Sequence, residues 1–122
     1  MNVAIFGHNG SGKSSLTQFL NNELPFYTFK EFPDVVYPRY KLLHFDYAFI
    51  LYDITSQKGR NSIIKWIDIC KKNNLSFVVL ANKCESTSIH YTYNSPSHKL
   101  MYISIHENIN LNSVVRLIKS ED

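Results

Sequence analysis

The sequence predicts an α/β domain, with parallel strands in one sheet and helices packed against it. Three observations predict it. Short apolar runs alternate with amphipathic stretches of helical period along the whole chain, the pattern of successive strand–helix units. Several of those runs are continuously apolar, as strands buried on both faces require. The chain has 122 residues with 44% hydrophobic and 19% charged, which suits a single folded domain spanning 1–122 and excludes a disordered composition.

The elements follow in order. Residues 3–6 (VAIF) form the first strand. Over 12–22, Leu16, Phe19 and Leu20 fall at i, i+3 and i+4, a helix stripe, and Pro25 ends the region. Residues 26–32 are aromatic-rich and strand-like, stopped by Pro33. The link over 33–46 is near the minimum length for a parallel crossover, and 38–45 are expected to supply one short helix there. Residues 47–54 (YAFILYDI) make the strongest strand. Ser56 is placed to cap the next helix, whose stripe is Ile63, Ile64, Ile67 and Cys70 and whose end is marked by Asn73 and Asn74. A buried strand over 75–81, a polar loop over 85–98 and a strand over 100–104 come next. Leu111, Val114, Val115 and Ile118 then define a C-terminal helix.

Composition excludes several classes of function. No apolar run approaches the roughly 20 residues of a membrane span, and no charged leader precedes an apolar stretch of signal-peptide length. Cys70 and Cys84 are read as reduced thiols, so a cytoplasmic location is expected. A net charge of +3, with Lys71 and Lys72 the one adjacent basic pair, gives no reason to expect nucleic acid. His8, His44, His90, His98 and His106 are scattered without zinc-ligand spacing. Asn2 stands where myristoylation needs glycine, and the final residues hold no prenylation cysteine, so no lipid anchor is expected.

Glycine is the informative residue. Of four in the chain, Gly7, Gly10 and Gly12 fall within six positions. The run Gly7-His8-Asn9-Gly10-Ser11-Gly12-Lys13-Ser14 matches G-x-x-x-x-G-K-[ST] in full, between a buried strand and an amphipathic helix. Such a loop turns successive backbone N–H groups toward phosphate oxygens, and the following helix presents its positive end to the same anion. Lys13 is expected to reach the β- and γ-phosphates, Ser14 to ligate Mg²⁺, and Ser15 to complete the phosphate contacts.

Downstream, Asn82-Lys83-Cys84-Glu85 follows a buried strand, and Ser104-Ile105-His106 ends the last one. With the glycine loop, the run LYDITS over 51–56 and the spacing of Asn110 after Ser104, the chain resembles the Ras-like small GTPases, the Rab branch most closely. The resemblance covers nearly the whole chain apart from a large deletion. It implies a P-loop NTPase-like three-layer sandwich whose five-stranded, mainly parallel sheet runs in the order 2-1-3-4-5 and lacks the family's antiparallel edge strand. It also implies GTP or GDP with Mg²⁺ as the bound group.

In that family Asn-Lys-x-Asp reads guanine, and Ser-Ala-Lys supports the base through backbone contacts. A carboxylate only accepts hydrogen bonds, which suits the N1–H and N2–H donors of guanine and is repelled by the N1 acceptor of adenine. By this resemblance Asn82, Lys83, Glu85, Ser104, Ile105 and His106 face the base, with Asn82 also tying neighbouring loops together. Glu85 departs from the family's Asp, and His106 from its Lys.

The switch segments of the family are reduced. Only Asn-Glu-Leu-Pro separates the first helix from the second strand, which leaves no room for the first switch, the source of a Thr ligand to Mg²⁺. Asp34-Val-Val-Tyr37-Pro38 stands in place of Asp-x-x-Gly-Gln. Asp34 is expected to serve Mg²⁺ through water; Asp53 is its rival, but its equivalent in the family is structural. Neither Gln18 nor Gln57 stands where the catalytic Gln would, no arginine is placed as a finger, and Asn9 adds a side chain near the γ-phosphate. Intrinsic GTP hydrolysis is therefore expected to be weak or absent.

Ten of the sixteen Phe and Tyr residues lie between Phe26 and Tyr52, the region that replaces the family's partner-binding face. Phe29, Tyr47 and Phe49 suit the core, whereas Tyr37, Tyr40 and an uncovered strand edge suit a protein partner or a homodimer. Two other readings compete. A small P-loop kinase using ATP is disfavoured because Arg39, Arg60 and Arg116 are dispersed. A nucleotide-free adaptor is disfavoured by the intact Lys13-Ser14 pair.

Overall fold

A computed structural model describes residues 1–34, 42–84 and 99–122. Five strands, β1 (Asn2–Gly7), β2 (Thr28–Glu31), β3 (Tyr47–Asp53), β4 (Phe77–Asn82) and β5 (Leu100–Tyr102), alternate with three helices, α1 (Lys13–Glu23), α2 (Gln57–Lys72) and α3 (Leu111–Glu121). The sheet order is β2-β1-β3-β4-β5, and every pairing is parallel. The order and direction agree with the sequence expectation. Parallel pairing places every strand's carboxyl end on one rim, where crossover loops collect.

Alternation along the strands divides the core in two. Ala4, Phe6, Ala48, Ile50, Tyr52, Val79 and Ala81 face α2, whose Ile63, Trp66 and Ile67 are buried on them. Phe6 stacks on Trp66 with ring centroids 4.6 Å apart. On the other face Val3, Ile5, Phe49, Leu51 and Leu80 pack with Leu16 and Leu20 of α1 and with Leu111, Val114 and Ile118 of α3. A sheet covered by helices on both faces explains why β3 is buried at all seven positions.

Local chemistry sets the element ends. Ser56 caps α2, its hydroxyl accepting from the Gly59 N–H at 3.0 Å. The second strand is shorter than expected, because Tyr27 N–H bonds Leu24 O and turns the chain through Pro25 and Phe26 before pairing begins. The last strand stops at Tyr102, and Ser104 instead exchanges backbone hydrogen bonds with Ile109 in an antiparallel bridge. Of the short helix expected over 38–45, the described part is a turn, closed by Phe45 N–H on Leu42 O, and the rest lies outside the described residues. Asn2 fastens the return from that crossover by binding the Asp46 carboxylate and His44 O. Among the described residues no helix is long and apolar enough to cross a membrane.

Candidate functional site

The glycine loop leaves β1 at Gly7 and closes a turn by Ser11 N–H on His8 O at 3.1 Å. Gly10 (φ 87°) and Gly12 (φ 104°) sit in the left-handed region that side-chain-bearing residues avoid. No side chain caps the amino end of α1, which leaves its first N–H groups for an anion. Asn9, Ser14 and Ser15 are exposed there.

Lys13 folds back over the loop, donating through Nζ to Gly7 O at 2.6 Å and to Phe32 O at 3.2 Å. Partial burial lowers the pKa of its ammonium, and the Asp34 and Glu31 carboxylates oppose that shift. Both acids therefore lie in the field of Lys13. Ser14 Oγ donates to Glu31 Oε1 at 3.0 Å. The hydroxyl of Ser14 and the carboxylates of Glu31 and Asp34 are hard oxygen donors, the ligand type that suits Mg²⁺.

Asn82, almost fully buried, joins three segments. Its Nδ2 donates to Ser11 O in the loop at 2.9 Å, and its Oδ1 accepts from Lys83 N at 2.8 Å and Ile105 N at 3.2 Å. Lys83 has a left-handed backbone (φ 68°) and pairs through Nζ with Asp53 Oδ2 at 2.7 Å. Asp53 also accepts from the backbone N–H and hydroxyl of Thr55. Burial pushes the Asp53 carboxyl up, but the Lys83 and Thr55 hydrogen bonds outweigh it and hold its pKa below the usual value. Asp53 is thus engaged in protein contacts, while Asp34 lines a cavity of about 930 Å³ with His8, Gln57 and Asn61.

Ser104 is buried and its hydroxyl accepts from Glu107 N–H at 2.9 Å. Ile105, beside it, lines a groove of about 360 Å³ with Ser15, Gln18 and Phe19 of α1. His106 is exposed, its Nε2 3.6 Å from Glu107 Oε1. Glu85, with Tyr37 and Tyr40 of the expected partner surface, lies outside the described residues. The described part of the expected site is therefore brought to one rim of the sheet.

His8 differs from its loop neighbours. Its ring is buried beneath α2, with Nε2 accepting from Asp53 N–H at 3.1 Å and Nδ1–H donating to Asn9 O at 2.9 Å. Those two bonds fix one neutral tautomer. Gly59 makes room for the ring: a Cβ there would stand 2.3 Å from Nε2. The His8 ring is therefore engaged in protein contacts through both nitrogens. Sequence reasoning missed this contact, the Asp53–Lys83 pair and Glu31. For Glu31 a signal existed: an acid at the carboxyl end of a strand expected beside the loop strand.

Comparison with protein-family models and with curated proteins found no match to this chain.

Proposed function

We propose that this chain is a guanine-nucleotide-binding, Rab-like P-loop protein with weak or absent GTP hydrolysis that acts through protein contacts. One observation carries the reading. The loop, Lys13, Ser14 and the uncapped start of α1 lie at the same rim as Asn82, which bonds Ser11 O and Ile105 N–H together. The loop proposed to take the phosphates is thereby tied to the segments proposed to take the base. On binding, Lys13 exchanges its two carbonyl partners for phosphate oxygens, and the loop N–H groups and helix end neutralise the remaining charge. Mg²⁺ would be held by Ser14 and the neighbouring carboxylates and would supply positive charge against the phosphates. Guanine selectivity is assigned to Glu85 by hydrogen-bond logic. The partner surface is assigned to the Phe26–Tyr52 region, where Phe26 is 95% exposed beside the edge strand β2.

Calorimetric titration with GTP, GDP and ATP, each with and without Mg²⁺, tests this directly. Guanine nucleotides alone are expected to bind, with a Kd of about 1 μM or tighter, near −8 kcal/mol. Preference for ATP would support the kinase reading instead, and no binding would leave the adaptor.

A further inference from the structure

We propose that Glu31 is the principal protein carboxylate of the Mg²⁺ site and makes nucleotide binding dependent on the cation. The inference rests on the nucleotide reading above, but it departs from the sequence expectation, which gave the carboxylate role to Asp34. Register is the first reason. Glu31 pairs with Ile5 in the parallel β1–β2 ladder, so it ends β2 beside the strand that opens into the loop. Its carboxylate is thereby set by the sheet and not by the following segment.

Chemistry is the second reason. Ser14 Oγ–H donates to Glu31 Oε1 at 3.0 Å, which leaves the hydroxyl lone pairs free to ligate a cation. A carboxylate that accepts a ligand's proton both orients that ligand and strengthens it as a donor. Lys13 Nζ, which donates to Gly7 O and to Phe32 O next to Glu31, stands in the same part of the loop, so acid, hydroxyl and ammonium share one small space. Asp34 instead lines the cavity beside His8.

Electrostatics is the third reason. Two acids beside a phosphate loop oppose a polyphosphate unless a cation stands between them. Mg²⁺ in turn requires near-octahedral oxygen coordination, and among the described residues no three His, Cys, Asp or Glu side chains converge to hold a metal. A cation held by one carboxylate and one hydroxyl would take its remaining oxygens from phosphate and water, so cation and nucleotide are expected to bind together.

The test measures binding of fluorescently labelled GDP to the wild type, Glu31→Gln and Asp34→Asn over a Mg²⁺ titration and in EDTA. Glu31→Gln is expected to weaken Mg²⁺ binding to the nucleotide complex by about 10–100-fold. The same variant is expected to bind nucleotide more tightly than wild type in EDTA, because a repelling charge has gone. A structural role alone would not produce that crossing. Asp34→Asn is expected to show the smaller loss of Mg²⁺ dependence, and the Mn²⁺ electron paramagnetic resonance of the nucleotide complex should change in Glu31→Gln. Glu31 is exposed, so the variant is expected to keep its fold, with a melting temperature within a few degrees of wild type. Wild-type Mg²⁺ dependence in Glu31→Gln, or a larger loss in Asp34→Asn, overturns this assignment while leaving the nucleotide reading intact. Failure of the wild type to bind any nucleotide overturns both.

Discussion

His8 and Gly59 show how one side chain sets the identity of another far away in sequence. Alanine has a higher helix propensity than glycine, so on that effect alone Gly59→Ala in the first turn of α2 should stabilise, by less than the roughly 1 kcal/mol of a helix interior. Here the added Cβ would fall 2.3 Å from His8 Nε2, and overpacking of that kind costs about 1–3 kcal/mol. The clash is the larger effect, so Gly59→Ala is expected to destabilise the wild type. In a His8→Ala background the same substitution should become neutral or stabilising, a sign reversal that urea denaturation of the four proteins would reveal. Additive effects would show that the ring does not fill the space over Gly59. The same ring makes stability depend on pH. Burial lowers the His8 pKa from its ordinary 6.5, with Lys13 adding to the shift and the Asn9 carbonyl, Asp53 and Asp34 opposing it. The unfolded chain therefore takes up the proton first, and stability declines as pH falls from about 6.5 toward the folded value. Asp53, held below its ordinary 3.8, contributes above that pH and is lost as pH falls through its folded value. Acid unfolding should thus have an upper stage absent from His8→Gln and a lower stage absent from Asp53→Asn.

Asn82 acts at the scale of elements, because its carboxamide joins the loop after β1, the end of β4 and the segment after β5. Removing it leaves one carbonyl and two N–H groups without that partner, and each buried unpaired group costs about 1–3 kcal/mol. Asn82→Ala is therefore expected to destabilise by roughly 2–4 kcal/mol, allowing for partial relaxation, and to abolish nucleotide binding even well below its melting temperature. Retained affinity in that variant would show that the loop holds its shape without the tie. Much of this layer was legible in the sequence. The spacing of the glycines, the buried strand before them and the Leu16/Leu20 stripe after them are local signals, and each survives folding because it reports which face is buried. The Ser56 cap was legible for the same reason. Glu31 was legible only as an acid ending the strand expected beside the loop strand; its facing Ser14 depends on β2 pairing with β1 at one register, and a shift of one residue would turn its carboxylate to the other face. The short strand ends at Tyr27 and Ser104 also escaped, since apolar pattern continues past the point where tight turns divert the backbone.

At the scale of the whole molecule, the sheet and its two cores form a platform, and the nucleotide proposal places all recognition on one rim. In the Ras-like family the conformational response to the γ-phosphate comes from two switch segments. By the proposed resemblance, four residues of this chain, 24–27, stand where the first would be, and β2 follows directly. A ligand shifts an equilibrium only by its differential affinity for the two states. The groups proposed to hold the phosphates (the loop N–H groups, Lys13 and Ser14) and the Mg²⁺ (Ser14 and Glu31) belong to the sheet and to α1, and so are present whichever nucleotide is bound. GDP and a non-hydrolysable GTP analogue should accordingly bind with affinities within about tenfold of each other, or 1.4 kcal/mol, and give superimposable hydrogen-exchange patterns. GTP itself should be turned over at most very slowly, since among the described residues Gln57 stands in the His8–Asp34 cavity and Gln18 in the α1 groove, neither on the loop. Paired calorimetry, hydrogen exchange and a single-turnover assay check the three expectations on one preparation. A hundredfold preference for the triphosphate with altered protection near the rim, or turnover like that of a typical Rab, would show that the reduced segment still senses the γ-phosphate. Parity would leave a site that does not distinguish the two nucleotides, so that neither could bias the proposed partner surface differently from the other.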